Sequence, residues 1–339
     1  MKFIRFLLFP MAFIYTIITA VRNFLFDVGF FKTTSFDKPI IAVGNLSVGG
    51  TGKTPQIEYL IRLLSRHKLA VLSRGYGRKS KGFVRADASK KATDIGDEPL
   101  QFYKKFKNIT VAVDEDRVHG VQQLQMADVV LLDDAFQHRK ITAGFYVLLT
   151  KYDELFSNDF LLPTGNLRER RVGAKRANAV VVTKCPNSID TQNQHEIKSL
   201  IRRYFKGPIF FSTIQYADVL LSNTEAKLNT FEVSNYEVLL VTGIANPASM
   251  LAYLSDLKCN FTHVNFPDHH QFSEKEIKEL EQQFKGLKSK NKIMLTTEKD
   301  FVRLSDKIGG LYYLAIATSF LNDQQVFDDL VTDYVTSVL

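Results

Sequence analysis

A glycine-rich segment that ends in a lysine and a threonine has the residue types that bind phosphate. Its residues are Ser47, Val48, Gly49, Gly50, Thr51, Gly52, Lys53 and Thr54. Glycines let several backbone N–H groups turn toward one anion, the lysine can reach the β- and γ-phosphates, and the hydroxyl can coordinate Mg²⁺. The segment predicts a P-loop for ATP and Mg²⁺, although Ser47 stands where the usual motif has glycine. The alternative is a glycine-rich turn without this function.

Two carboxylates, Asp133 and Asp134, end the hydrophobic stretch 127–132. In a parallel sheet, ligands gather beyond the carboxyl ends of the strands. A carboxylate there can hold a metal ion opposite the P-loop, so we predict a site formed by Thr54, Asp133 and Asp134. Strand alternation sends the two aspartates to different sides and leaves open which one faces the metal. Alone, the pair is also typical of a solvated turn or a helix cap.

A carboxylate and a histidine could act on a hydroxyl substrate. Asp97 precedes a predicted helix, where its propensity favours an N-cap; the functional alternative is a base that accepts a hydroxyl proton. His269 and His270 follow Asp268 before another predicted helix, and an exposed loop would also explain them. Too few ligands lie nearby for a metal site. Phosphoryl transfer needs mainly positioning and charge neutralisation, so a carboxylate–histidine pair that meets across two lobes would serve.

Arginines lie beside glycines in two loops. The clusters are Arg74, Tyr76 and Arg78 in the first loop, and Arg168, Arg170 and Arg171 in the second. Guanidinium groups suit phosphate recognition, but most arginine runs are merely solvated. Both interpretations remain open for these clusters.

An uncharged apolar run covers residues 6–21 between the basic residues Lys2, Arg5 and Arg22. It is short for a spanning helix of about 20 residues, and Pro10 interrupts it. Residues 19–22 form a poor signal-peptide cleavage site. A buried core helix is a further alternative. We favour a helix that lies in the membrane interface, where basic flanks attract anionic lipid.

Composition narrows the partners and the compartment. The net charge of +8 favours anionic partners, but the chain has no basic tail and no RNA-binding aromatic signature, so nucleic acid is not expected. The two cysteines, Cys185 and Cys259, are distant in sequence and lie outside any CxxC pair. The chain therefore predicts neither a disulfide framework nor a zinc site, and it fits a reducing compartment.

Strands and helices alternate along the chain and must position these groups. Predicted strands are 40–43, 69–72, 109–113, 129–132, 145–149, 179–182, 238–241, 293–296 and 311–315; predicted helices are 55–66, 99–106, 248–254 and 273–284. This order is typical of a doubly wound, mostly parallel α/β sheet with a second, smaller α/β lobe. We predict a membrane-associated segment at 1–32, a P-loop core at 33–214, a linker ribbon at 215–234 and the second lobe at 235–339.

Nine motifs occur in one order along most of the chain. They are residues 43–55, 73–78, 96–99, the stretch around 114–117, 131–139, 162–169, 242–247, 266–272 and 296–300. With them the chain resembles the tetraacyldisaccharide 4'-kinase family of Gram-negative bacteria. The resemblance implies transfer of the γ-phosphate of ATP to the 4'-hydroxyl of a tetraacylated disaccharide 1-phosphate, an anionic glycolipid. It also implies lipid A biosynthesis at the cytoplasmic face of the inner membrane, with no obligate protein partner.

The resemblance also implies roles for individual residues. Lys53 would neutralise the phosphates, and Asp97 would activate the hydroxyl, with His269 orienting it or sharing its proton. Active-site or substrate contacts are expected at Arg74, Tyr76, Glu98, Arg117, Gln137, His138 and Arg168. Ala135 and Asn166 stand where the family commonly has glycine and proline, which leaves those loop conformations in doubt.

A different class shares the P-loop core and often a membrane helix, namely the switch ATPases of the partitioning type. Their signature adds a lysine where this chain has Val48. They also have no need for the motifs at 96–99 and 268–270. A non-catalytic lipid-binding scaffold is a third possibility, against which the preserved Lys53 and Thr54 argue.

Overall fold

The computed structural model describes residues 7–339. Its helices are α1 (Phe9–Asp27), α2 (Lys53–Leu63), α3 (Ala92–Ile95), α4 (Asp97–Lys105), α5 (Arg117–Gln123), α6 (Thr191–Arg202), α7 (Ala248–Asp256), α8 (Glu274–Gly286), α9 (Glu298–Leu304) and α10 (Gln324–Val338). Its strands are β1 (Ile40–Asn45), β2 (Leu69–Ser73), β3 (Val84–Arg85), β4 (Thr110–Val113), β5 (Val129–Asp133), β6 (Phe145–Lys151), β7 (Ala179–Thr183), β8 (Ile209–Tyr216), β9 (Val219–Ser222), β10 (Lys227–Asn229), β11 (Glu237–Thr242), β12 (Asn260–Asn265), β13 (Lys292–Thr297), β14 (Leu311–Leu314) and β15 (Ile316–Phe320).

Nine strands form the first sheet in the order β15-β8-β7-β6-β1-β5-β2-β4-β3. The seven central strands, which are β8, β7, β6, β1, β5, β2 and β4, pair in parallel. The edge strands β15 and β3 pair antiparallel with β8 and β4. All six residues of the central strand β1 are buried, as expected for a parallel strand covered on both faces. The prediction of a mostly parallel α/β sheet is confirmed.

Six strands form the second sheet in the order β10-β9-β14-β13-β11-β12. Strands β11 to β14 pair in parallel, and β9 and β10 extend the sheet as an antiparallel ribbon. Residues 219–222 and 227–229 of the expected linker at 215–234 therefore belong to this second sheet.

The end of the chain departs from the expected boundary at 235–339. Strand β15 pairs antiparallel with β8 of the first sheet. Helix α10 then buries Phe327, Val331 and Val335 in the core beside α2 and β1. Residues 316–339, which were predicted in the second lobe, therefore belong to the first lobe. Strand β15 joins its sheet, and the apolar face of α10 packs in its core.

Helix α1 differs from two of the expectations for the N-terminus. Only 6% of the apolar stretch of this helix is buried, so the interpretation as a buried core helix is wrong. Pro10 lies in the first turn and does not interrupt the helix, since a missing N–H costs little there. The helix is long and apolar enough to cross a membrane. Lys2, Arg5 and Phe6 lie outside the described residues.

Polar contacts fix α1 against the first sheet. Tyr15 Oη donates to Arg168 O at 2.8 Å, and Asn23 Nδ2 donates to Glu169 Oε2 at 2.8 Å. Arg139 donates to Asn23 O at 2.9 Å and pairs with Asp27 at 2.7 Å. These contacts join the exposed apolar helix to the loops that follow β5 and β6.

Candidate active site

The glycine-rich loop lies between β1 and α2, as the sequence predicts. Gly49 and Gly52 have φ of +99° and +85°, which side chains other than glycine rarely adopt, and Gly52 caps α2. Thr183 Oγ1 donates to Thr51 O at 2.8 Å, and Val48 N donates to Asn166 O at 2.8 Å. These bonds hold the loop open at the N-terminus of α2, where an anion is favoured.

Lys53 and Arg168 both approach Asp134 beside this loop. Lys53 Nζ lies 3.6 Å from Asp134 Oδ1. Arg168 donates to both carboxylate oxygens, at 3.1 and 2.9 Å, and also bonds Asn45 Oδ1. Burial alone would raise the pKa of Asp134, but Lys53 and Arg168 hold it below its usual range. Two cations are therefore concentrated where a phosphate would arrive.

Asp133 is buried and has a different hydrogen-bond partner from Asp134. Its Oδ2 accepts from Ser73 Oγ at 2.9 Å, whereas its Oδ1 has no hydrogen-bond partner among the described residues. Burial and the neighbouring charge of Asp134 raise the pKa of Asp133 to about 6. Mg²⁺ prefers oxygen ligands, and a buried carboxylate oxygen without a hydrogen-bond partner can serve as one. Asp133 and its neighbour Asp134 therefore fit this metal. The expectation that the two aspartates face different ways agrees with these contacts.

Asp97 meets His269, 172 positions away in the chain. His269 Nδ1 lies 2.8 Å from Asp97 Oδ2, and Arg303 Nε lies 3.6 Å from the same oxygen. The cap of α4 is Gly96, and Asp97 is its first helical residue, so the N-cap alternative is wrong. Burial would raise the pKa of Asp97, but the His269 hydrogen bond and Arg303 lower it. The carboxylate is therefore ionised and available as a base.

The pair lies at the same sheet edge as the P-loop. The backbone of Gly96 packs against Gly75 and Tyr76 in the loop after β2, leaving little room for a Cβ. The Tyr76 and His269 rings are 5.5 Å apart. The charge of Glu98, which follows Asp97, contributes to the raised pKa of Asp133. The residue next to the base candidate thus interacts electrostatically with the metal-site candidate.

Helix α9 supplies two residues that sequence reasoning missed. Lys299 Nζ lies 3.0 Å from His269 Nε2 and 3.1 Å from Asp268 Oδ1. Arg303 Nη1 donates to His270 O at 2.8 Å in addition to approaching Asp97. The motif at 296–300 was a signal, but nothing in the sequence shows that this helix faces the histidine loop.

The remaining substrate candidates divide by environment. Arg74 and Tyr76 are exposed at the sheet edge. Arg117 is buried and donates to Asp114 O at 3.1 Å, and burial lowers its pKa to about 10. Gln137 donates to Asn45 O at 2.8 Å, and burial lowers the pKa of His138 to about 4. Both residues lie in the loop that α1 covers.

Several basic or histidine residues have structural partners instead. His270 bonds Glu276 of the capping box at 3.0 Å. Arg78 pairs with Glu115, and Arg171 donates to Asp159 O at 2.7 Å. Arg78 therefore joins its loop to the segment after β4, whereas Arg171 stabilises its own loop.

Comparisons with known proteins identify the family of this chain. The family model described as LpxK, tetraacyldisaccharide-1-P 4'-kinase, matches residues 4–336. The tetraacyldisaccharide 4'-kinases of Flavobacterium psychrophilum and Flavobacterium johnsoniae are 52% and 51% identical, and each match covers 99% of this chain and 98% of the relative. The crystal structure of LpxK from Aquifex aeolicus in complex with ATP has a TM-score of 0.79 at 30% identity, and covers 98% of this chain and 99% of that one. This chain therefore belongs to the tetraacyldisaccharide-1-P 4'-kinase family, as its motifs predict.

Proposed function

We propose that this protein transfers the γ-phosphate of ATP to the 4'-hydroxyl of a tetraacyldisaccharide 1-phosphate, which forms lipid IVA in lipid A biosynthesis. Family membership supports the reaction and its substrates. The single observation that carries the mechanism is the contact between Asp97 and His269, because a buried carboxylate with a histidine partner suits a base that accepts a hydroxyl proton. The switch ATPase has no role for such a pair.

The P-loop, Lys53 and Arg168 would bind and neutralise the phosphates. A phosphate oxygen would compete with Asp134 for both cations, which already lie within salt-bridge distance of that carboxylate. Thr54 with Asp133 and Asp134 would hold Mg²⁺. When bound, the ion supplies charge neutralisation at the β- and γ-phosphates.

Asp97 would accept the proton of the 4'-hydroxyl as the hydroxyl oxygen forms its bond to phosphorus. Its low pKa suits a base that must be ionised before the proton arrives. The contacts from His269 and Arg303 both approach Oδ2, so Oδ1 is the oxygen that can turn toward the substrate. His269 and Arg303 thus orient the carboxylate.

The glycolipid would enter beside α1. A cavity of about 1010 Å³ lies beside this helix, and its walls include Ile17, Val21, Leu25 and Phe26. Arg22, Lys32, Arg139 and Lys140 also line it. Apolar walls with a basic rim suit acyl chains attached to an anionic head group. Arg74, Tyr76, Glu98, Arg117, Gln137 and His138 remain the proposed substrate contacts.

Helix α1 would place the protein at the cytoplasmic face of the inner membrane. Its large apolar side chains favour a non-aqueous environment, since Phe13, Ile14 and Ile18 are 61%, 58% and 60% exposed. A protein held at the membrane in this way meets its lipid substrate without extracting it.

One assay tests the proposed function against the other classes. The purified protein is incubated with Mg²⁺ and radiolabelled ATP, with or without the disaccharide 1-phosphate lipid. We expect label in the lipid and little ATP hydrolysis without it. Lipid-independent hydrolysis would instead support a switch ATPase, and no turnover would support a scaffold.

A further inference from the structure

Residues 166–168, the bridging segment, pair with the residues that lead into the P-loop. Val48 N donates to Asn166 O at 2.8 Å. On the other side of the pairing, Arg168 N donates to Leu46 O at 2.7 Å. An antiparallel bridge joins the two residues that lie between these bonds. Because backbone hydrogen bonds hold the two stretches in register, a displacement of the bridging segment also displaces the start of the P-loop.

Helix α1 bonds the end of the same segment. Tyr15 Oη donates to Arg168 O at 2.8 Å, so the N–H of Arg168 bonds the P-loop side and its C=O bonds α1. The next residue, Glu169, accepts from Asn23 Nδ2 of α1 at 2.8 Å and from Arg176 Nη2 at 2.7 Å. The Glu169 side chain is only 4% exposed, and a buried carboxylate needs such donors. Helix α1 and the P-loop are thus joined through one short stretch of backbone.

The guanidinium of Arg168 belongs to the proposed phosphate site. It donates to both carboxylate oxygens of Asp134 and bonds Asn45 Oδ1 at the end of β1. Lys53 Nζ lies 3.6 Å from the same carboxylate. The position of this guanidinium depends on the backbone of Arg168, and Tyr15 bonds the carbonyl group of that backbone. A contact made by the membrane helix therefore acts on a cation of the proposed nucleotide site.

We propose that Tyr15 is a positioning residue through which α1 sets the backbone of Arg168, and thereby its guanidinium, for binding the phosphates of ATP. The inference rests on the proposed function and deepens it, since it couples the membrane helix to the nucleotide site. The neighbouring side chains of Phe13 and Ile14 are exposed, whereas Tyr15 bonds the protein. Coupling between two sites is reciprocal, so the docked helix favours ATP binding and bound ATP favours the docked helix.

Titration calorimetry with Mg²⁺ and a nonhydrolysable ATP analogue, on the full-length protein in detergent, tests this coupling. Tyr15→Phe removes the hydroxyl and keeps the ring, so the apolar surface of α1 is preserved. We expect its Kd to be about fivefold higher than that of the wild type, as for the loss of one hydrogen bond. Recovery with liposomes should be unchanged. Thr16→Val is the matched control and should bind as the wild type, because the Thr16 hydroxyl donates to Ala12 O within the same helix.

A double-mutant cycle with Arg168→Ala shows whether Tyr15 acts through the guanidinium. Arg168→Ala alone should bind the analogue at least about tenfold more weakly than the wild type, as for the loss of a charged donor. Adding Tyr15→Phe to it should change the Kd by less than about twofold, because the group that Tyr15 positions is gone. A fivefold loss in both backgrounds would overturn the proposal, since Tyr15 would then act on the nucleotide by another route.

Far-UV circular dichroism shows whether each variant keeps the wild-type fold. Arg168→Met keeps the stem of the side chain and takes the place of Arg168→Ala in the cycle if the alanine variant is unfolded. Equal affinity of Tyr15→Phe and the wild type would overturn the coupling and leave the proposed function intact, provided that the wild type phosphorylates the lipid. Failure of the wild type to label the lipid would instead overturn the proposed function, whatever the affinity of Tyr15→Phe.

Discussion

Replacing Lys105 with methionine is expected to destabilise the protein by about 3 kcal/mol, and by more at pH 8 than at pH 6. Lys105 Nζ lies 2.6 Å from Glu58 Oε2 and 2.7 Å from Glu298 Oε1. The two glutamates belong to α2 and α9, and their side chains are 1% and 7% exposed. The ammonium therefore joins the first lobe to the helix that carries Lys299.

The magnitude follows from burial. Removing one partner of a buried ion pair costs about 3–5 kcal/mol, because the other charge stays buried and uncompensated. The lower end applies here, since Lys105 is partly exposed and Glu58 keeps hydrogen bonds from Arg62 at 3.2 Å and Gln101 at 3.0 Å.

The pH dependence follows from Glu298. Burial, with the neighbouring charge of Glu58, raises the pKa of Glu298 to about 7 from an ordinary 4.5. The folded state thus holds this proton more tightly than the unfolded state, so the stability it contributes is full below about pH 4.5 and is lost as pH rises through 7. Without Lys105 the pKa rises further. At pH 6 we then expect Glu298 to be protonated, whereas at pH 8 its charge would be buried without the ammonium of Lys105 beside it.

Urea unfolding followed by far-UV circular dichroism measures this effect, because the chain has no tryptophan. Adding Glu298→Gln to Lys105→Met should recover a large part of the loss at pH 8, since it removes one of the two carboxylates. Lys275→Met, an exposed lysine of α8, serves as the matched control and should leave the midpoint unchanged. Equal midpoints for Lys105→Met and wild type at both pH values, or no recovery in the double variant, would refute the reasoning.

Three further predictions concern the metal site, the core and the membrane helix. Binding of Mg·ATP, measured by calorimetry, should weaken as pH falls through about 6, because Asp133 has its raised pKa there and a proton then competes with the metal; Asp133→Asn should abolish this dependence. Gly44→Ala should lower the free energy of unfolding by about 1–3 kcal/mol, since an added Cβ would lie 2.6 Å from Phe136 Cβ; an unchanged denaturant midpoint would contradict this. Ile18→Glu, at a position 60% exposed, should reduce recovery with liposomes while leaving the α-helical signal intact; unchanged recovery would remove α1 as the anchor.

The sequence predicted the parts of the fold that depend on local pattern. The apolar runs at 40–43 and 129–132 are typical of parallel strands that are buried on both faces. Gly49 and Gly52 of the P-loop have positive φ, which glycine adopts readily. Helix α2 begins at Lys53, two residues before the predicted start, because Gly52 already caps it.

The parts that sequence reasoning missed depend on contacts between distant segments. The sequence of β15 is typical of a short edge strand and does not show which sheet it joins. Its place in the first sheet depends on pairing with β8, about 100 positions away. Lys299 and Arg303 look like the solvated face of a short helix until the loop of His269 is placed over them. The Asp97–His269 pair could be proposed because both residue types suit one chemistry, but the distance between them required the structure.

Single-turnover phosphate transfer from ATP to the lipid by Asp97→Asn is the most direct test of whether Asp97 accepts the substrate proton. The variant keeps the size of the side chain and can still accept a hydrogen bond from His269. We expect the single-turnover rate of this variant to be at least about a hundredfold lower than that of the wild type, with the affinity for ATP unchanged. A rate within about twofold of the wild type would contradict it.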